Sequence, residues 1–194
     1  MRPIAALYVD VDHGPYPGMP DVDPWGIARD ATRYAGPHPV VAHPPCGPWG
    51  RLSHLCTRQD PALGPIAVEQ VRAFGGVLEH PADSKLWSAC KMPRPGALDL
   101  FDPGFTIAVE QWQWGHPTVK PTWLYIVGTR TLPPRPPFDW KTRPSAPRVY
   151  VTKPDGRRIH RYVGIANNDN RHLTPPLFAQ WLVDLARSCR NGQT

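Results

Sequence analysis

His38-Pro-Val-Val-Ala-His43-Pro-Pro-Cys46-Gly-Pro-Trp-Gly-Arg51-Leu52 is the stretch on which the chain turns. The apolar run Val40-Val41-Ala42 is short and uncharged, as expected of a buried strand, and it breaks off at His43-Pro44. Pro44 and Pro45 fix the backbone ahead of Cys46, so the thiol is held in place at the carboxyl end of that strand. In open α/β sheets ligands and chemistry gather at such ends. A cysteine there is a candidate nucleophile, a metal ligand or a small buried residue, and the flanking sequence has to choose.

Downstream, the pattern predicts a helix from Pro65 to Phe74, with Pro65 in its first turn, an apolar face of Ile66, Val68, Val71 and Phe74, and Gly75-Gly76 as its stop. Val77-Leu78 resumes a strand that ends at Glu79-His80-Pro81, completing a βαβ unit with Cys46 and Glu79 both at carboxyl ends. A helix is expected from Ser84 to Ser88. Phe105 to Trp112 and Lys120 to Gly128 read as strands, and their short connection through Gly115-His116-Pro117 predicts an antiparallel pair at a sheet edge.

Upstream, Ile4 to Val9 reads as a first strand, and Trp25 to Tyr34 as a short helix capped by Asp23 with Pro24 in its first turn. Toward the end, Pro154-Asp155-Gly156 marks a hairpin between 149–153 and 158–163. A final helix, capped by Thr174 with Pro175 and Pro176 in its first turn, carries the stripe Phe178, Trp181, Leu182, Leu185 and Cys189.

Composition narrows the class. With 194 residues the chain suits one domain, and its 27 prolines lie between apolar runs, which indicates stiff loops around a packed core. Lys and Arg number 22 against 16 Asp and Glu, a net charge of +6 that suits a polyanionic partner such as DNA. The four cysteines form no CxxC pair, which fits free thiols in a reducing cytoplasm. No run of about 20 apolar residues is present to span a membrane.

Four pieces of the sequence, in order, resemble the cytosine-C5 DNA methyltransferases. Pro44-Pro45-Cys46-Gly47-Pro48-Trp49-Gly50 is similar to that family's Pro-Pro-Cys-Gln-x-Phe-Ser loop, and Glu79-His80-Pro81 to its Glu-Asn-Val turn. The segment from Gln111 to Lys120 lies where the family carries its Gln-x-Arg-x-Arg hairpin, and Arg171 to Ala179 resembles a fusion of its last two motifs. The resemblance covers 40–128 and 171–187. It implies an α/β fold with a Rossmann-like, S-adenosylmethionine-dependent methyltransferase-type sheet. Helices would cover both faces, the N-terminus would be reduced, and the antiparallel pair would sit at one edge. The chain is expected to form a single domain, 1–194, with 129–170 a Pro/Arg-rich loop and basic hairpin before the last helix. Compact versions of this family suggest a phage source, with the protein acting in the cytoplasm of a bacterial host. The sequence departs from the family in three places. It lacks the Phe-x-Gly-x-Gly loop before the first helix and the Gln after the cysteine, and Gln113 and His116 stand where arginines are usual.

The implied chemistry is addition of the Cys46 thiolate to pyrimidine C6 while Glu79, kept protonated by a raised pKa, protonates N3. The methyl group would pass from S-adenosylmethionine to C5 of a base swung out of the duplex. Asp10, Asp30, Pro44, Thr174 and Pro175 are the expected cofactor contacts. His43, Trp49, Arg51, Gln111, Gln113, His116, Lys120, Lys153, Arg157 and Arg158 are the expected substrate contacts, with Trp49 stacking on a base and the hairpin cations on phosphates. Two alternatives stand beside this reading: a non-catalytic DNA-binding module on the same scaffold, and a zinc site drawn from His43, Cys46, His54, Cys56 and His80.

Overall fold

The computed structural model describes residues 2–50, 53–56, 60–97, 99–137, 140–144, 148–152, 155–156, 158–162 and 173–190. A six-stranded sheet runs through it in the order β2-β1-β3-β4-β6-β5. Its strands are β1 (Ile4–Leu7), β2 (Val22–Trp25), β3 (Val40–Ala42), β4 (Gly76–Pro81), β5 (Gly104–Glu110) and β6 (Pro121–Val127). The first four are mutually parallel; β6 runs antiparallel to both β4 and β5, so the edge pair expected from sequence is present. The fold is α/β with a mixed sheet.

Side-chain alternation along the strands builds two cores. Ala5, Leu7, Val40, Ala42 and Leu78 face α1 (Leu63–Phe74) and pack with its Ala67, Val68 and Val71. Ile4, Ala6, Val41 and Val77 face the other way, onto Phe178, Leu182 and Leu185 of α3 (Pro176–Ser188). Helices therefore cover both faces. The central strands are buried on both sides, which is why Val40-Val41-Ala42 shows no polar alternation. A single helical turn, α2 (Leu86–Ala89), adds Leu86 and Trp87 to the α1 side.

At the junction of α1 and β4, Gly75 ends the helix at φ +73° and its N–H donates to the Val71 carbonyl. Gly76 follows at φ +123°, where a Cβ would sit 2.0 Å from the Val40 carbonyl oxygen of β3. The Gly-Gly pair therefore stops the helix and also lets β4 lie against β3.

Three sequence expectations are corrected. Residues 22–25 form a strand parallel to β1, not the start of a helix: the Asp23 carboxylate accepts from Trp25 Nε1 and pairs with Arg29 instead of capping. Pro24 is tolerated there because β2 is an edge strand, and two 3₁₀ turns, Ile27–Arg29 and Ala31–Arg33, take the place of the helix. β1 ends at Leu7, two residues short of Val9, because Tyr8 turns to φ +60°. Pro175, not Thr174, occupies the cap position of α3 and supplies no side-chain bond; its carbonyl accepts from the N–H groups of Phe178 and Ala179.

β7 (Arg148–Thr152) and β8 (Arg158–Tyr162) form a separate two-stranded antiparallel sheet, the hairpin expected around Asp155-Gly156. Among the described residues no helix is long and apolar enough to cross a membrane.

Candidate functional site

The sheet changes winding direction at β1. β2 is laid down on one side of it and β3 on the other, so the loops leaving β1 and β3 diverge over a topological switch point. One of these is the segment 8–21; the other holds His43-Pro44-Pro45-Cys46. Cys46 takes φ −90° and ψ −14° at the head of a 3₁₀ turn, Gly47–Trp49, and its carbonyl accepts from Trp49 N–H at 3.1 Å. The proline-fixed cysteine loop thus stands where the sequence places it, half-buried at the carboxyl end of β3.

A chain of hydrogen bonds crosses this end of the sheet on the α3 side. Tyr16, wholly buried, places its hydroxyl 2.5 Å from His43 Nε2. His43 Nδ1 lies 3.0 Å from Glu79 Oε2, and Gln111 Nε2 donates to Glu79 Oε1 at 3.0 Å and to Thr122 Oγ1 at 3.0 Å. Five segments are tied together in this way: the first loop, the ends of β3, β4 and β5, and the start of β6. Their order follows the strand register, in which His43 follows Ala42, Ala42 pairs Leu78, and Glu79 pairs Leu124.

The charge state of Glu79 corrects the sequence expectation. Burial alone raises a carboxyl pKa, but here it is outweighed by the His43 hydrogen bond and by the nearby positive charge of Lys120. The pKa is brought down to about 2. Glu79 is a carboxylate, not the protonated acid that the resemblance requires. Both contacts are met at once when Tyr16 donates O–H to Nε2 and Nδ1–H donates to Glu79.

His80, next along β4, points to the opposite face, edge-on to Trp87, which packs in turn against Trp123. It is fully buried, and the Pro45 carbonyl faces it without forming a well-shaped hydrogen bond with either ring nitrogen. Burial pushes its pKa down to about 4, against the opposing pull of Glu79, so the ring is neutral.

Other expected contacts are distributed unevenly. Trp49 is partly buried against the α1-side core, its indole nitrogen 2.6 Å from where a Gly64 Cβ would stand. His116 is buried and holds its own turn, Nδ1 lying 2.9 Å from the Thr118 carbonyl oxygen. Lys120 donates to the Leu173 carbonyl at 3.0 Å, which brings the approach to α3 and its Thr174-Pro175 toward the Glu79 end of the sheet. Gln113 lines a separate cavity of about 400 Å³ at the β5–β6 edge with Trp123, Glu110 and Arg135. Arg51, Lys153 and Arg157 lie outside the described residues, as does the side chain of Arg158. The proposed zinc ligands do not assemble: among the described residues no group of three His, Cys, Asp or Glu is placed to hold a metal.

The first loop does not fit the S-adenosylmethionine that the resemblance implies. Asp10 Oδ1 accepts from the N–H groups of Asp12 and His13, and Gly14 N–H donates to the Asp10 carbonyl, so these amides are turned inward. Asp30, in the left-handed region, accepts through Oδ1 from the N–H and the hydroxyl of Thr32. Tyr16 fills the space between this loop and β3. Tyr16 itself was missed from the sequence because it sits in the Pro/Gly-rich segment Gly14-Pro-Tyr16-Pro-Gly18. The signal there was a lone aromatic residue held between two prolines.

No protein-family model, curated protein or solved structure matches this chain.

Proposed function

We propose that the protein is an enzyme of pyrimidine modification on DNA, built like the cytosine-C5 DNA methyltransferases, in which Cys46 adds to C6 of the base and Glu79 holds its N3 edge. The observation that carries this reading is the placement of Cys46 and Glu79 at the carboxyl ends of neighbouring parallel strands, beside the switch point. Loop chemistry and strand position agree, although the two residues lie 33 positions apart in sequence.

The thiolate forms a bond to C6, and the C5=C6 pair moves toward the C4 substituent, which makes C5 nucleophilic. His43 and Gln111 orient the Glu79 carboxylate through one hydrogen bond to each oxygen. The net charge of +6 and the basic hairpin sequence support a DNA partner through phosphate contacts. S-adenosylmethionine is the donor that the resemblance implies. Because the first loop does not fit it, the proposal stops at activation of C5.

A single-stranded oligonucleotide containing deoxycytidine and deoxyuridine, incubated with the protein in D2O, tests the reading. Reversible thiolate addition exchanges the C5 hydrogen for deuterium without any methyl donor. Deuterium at C5 of either base, abolished by Cys46→Ala, is the expected result. No exchange with the wild-type protein refutes the enzyme.

A second reading, a non-catalytic DNA-binding module on the same scaffold, is favoured by the inward-turned first loop. It predicts salt-dependent DNA binding without exchange and without heat on titration with S-adenosylmethionine.

A further inference from the structure

Resting on the reading above, we infer that the pyrimidine this site accepts carries a hydrogen on N3, as uracil does, and that Glu79 with His43, Gln111 and Tyr16 selects it over cytosine. The argument is one of donors and acceptors. At N3 cytosine presents a lone pair, whereas uracil presents an N–H donor flanked by two carbonyl oxygens. A carboxylate that already receives one hydrogen bond at each oxygen is an acceptor and nothing else. It matches the N3–H of uracil. Against cytosine an oxygen placed at N3 meets a lone pair where uracil offers a donor.

The surroundings fix Glu79 in that role. To protonate N3 of cytosine, the site would have to pass the Nδ1 proton of His43 through Glu79, while Nε2 took the Tyr16 proton in exchange. That leaves a tyrosinate in a wholly buried position, beside the Glu79 carboxylate. Burial, and then Glu79, hold the Tyr16 hydroxyl well above its ordinary pKa, so the chain resists that shift. Gln111 cannot supply a proton donor to a bare N3 in place of Glu79: its Nε2 is used on Glu79 and Thr122. Of the charged groups bearing on Glu79, Lys120 favours its carboxylate form. His80 is buried neutral and lies on the other face.

The step balances without a further reactant. The Cys46 thiol loses its proton to solvent, and the thiolate forms the S–C6 bond as the C5=C6 pair moves to O4. A deuteron from D2O adds to C5, the original C5 proton leaves, and the S–C6 bond breaks to return the thiolate.

The experiment compares C5 exchange in two oligonucleotides that differ only in one deoxyuridine or one deoxycytidine, followed by mass spectrometry. Exchange at deoxyuridine is expected to be faster by at least about tenfold, the cost of facing a buried acceptor with a lone pair. Glu79→Gln, which adds an amide donor at the same position, is expected to shift the ratio toward deoxycytidine. Equal or faster exchange at deoxycytidine in the wild-type protein overturns the inference while leaving the enzyme intact. Exchange at neither base removes both.

Discussion

Acidification from pH 7 to pH 4 is expected to destabilise the fold steeply, and His80 sets most of the slope. Its ring is fully buried with neither nitrogen well bonded, and burial depresses its pKa from 6.5 to about 4. Between these values the unfolded chain binds a proton that the folded protein refuses. Stability from this residue is therefore complete above the unfolded pKa and is lost as pH falls toward 4. A depression of that size corresponds to ~3 kcal/mol over the window. Glu79 acts lower down. Its folded pKa of about 2 lies below the ordinary 4.5, so its contribution is present above pH 4.5 and disappears as pH falls through the folded value. That is a second loss of ~3 kcal/mol, of which under about 1 kcal/mol has been felt by pH 4. Urea unfolding followed by tryptophan fluorescence at half-unit pH intervals measures both. A stability curve that falls from pH 6.5 to 4 and falls again below is expected, and His80→Gln should flatten the upper limb alone. A wild-type curve flat between pH 7 and 4.5 refutes the placement of a neutral His80 in the core.

Three other perturbations follow from particular contacts. Gly76→Ala forces a side chain into φ +123° and against the Val40 carbonyl, so a loss of at least about 3 kcal/mol, or failure to accumulate folded protein, is expected from the same unfolding assay. Tyr16→Phe removes the partner of His43 Nε2 and should cost ~1–2 kcal/mol. With nitrogen-resolved NMR, the His43 ring signals should change in that variant while those of His116 stay put. Arg72→Leu strips the guanidinium from a cluster in which it binds Asp102, Glu69 and the Cys90 carbonyl. Asp102, whose side chain is almost fully buried, is left with Tyr125 as its remaining side-chain partner in that cluster, so a loss of ~2–4 kcal/mol is expected.

What sequence alone made legible was the part whose signals are local. The β3–α1–β4 unit could be read because an uncharged apolar run, a periodic helix and a Gly-Gly stop follow one another without interruption. α3 was legible for the same reason, through its three- and four-residue stripe, and all five stripe residues are buried. The segment 22–25 was not, because an Asp followed by Pro is the signature of a helix start. Only the pairing of β2 with β1 at the sheet edge overrides it. The final helix shows the same limit at its cap, where Thr174 has the right chemistry and the next residue has the position.

The site divides along the same line. Cys46 and Glu79 announce themselves by their loops, but the charge of Glu79 depends on groups far away in sequence: His43, 36 residues before it, and Lys120, 41 after. No spacing rule reports that convergence. It matters because two sites with the same Cys and Glu differ in chemistry according to which form of the carboxyl they hold. A protonated glutamic acid donates to a bare ring nitrogen; a carboxylate between an imidazole and an amide can only accept. The proposal takes the α/β scaffold and the cysteine nucleophile from the resemblance to a cytosine-modifying family. It does not take the base. On the proposed reading the base preference follows from a glutamate whose two oxygens are already engaged by a histidine and a glutamine.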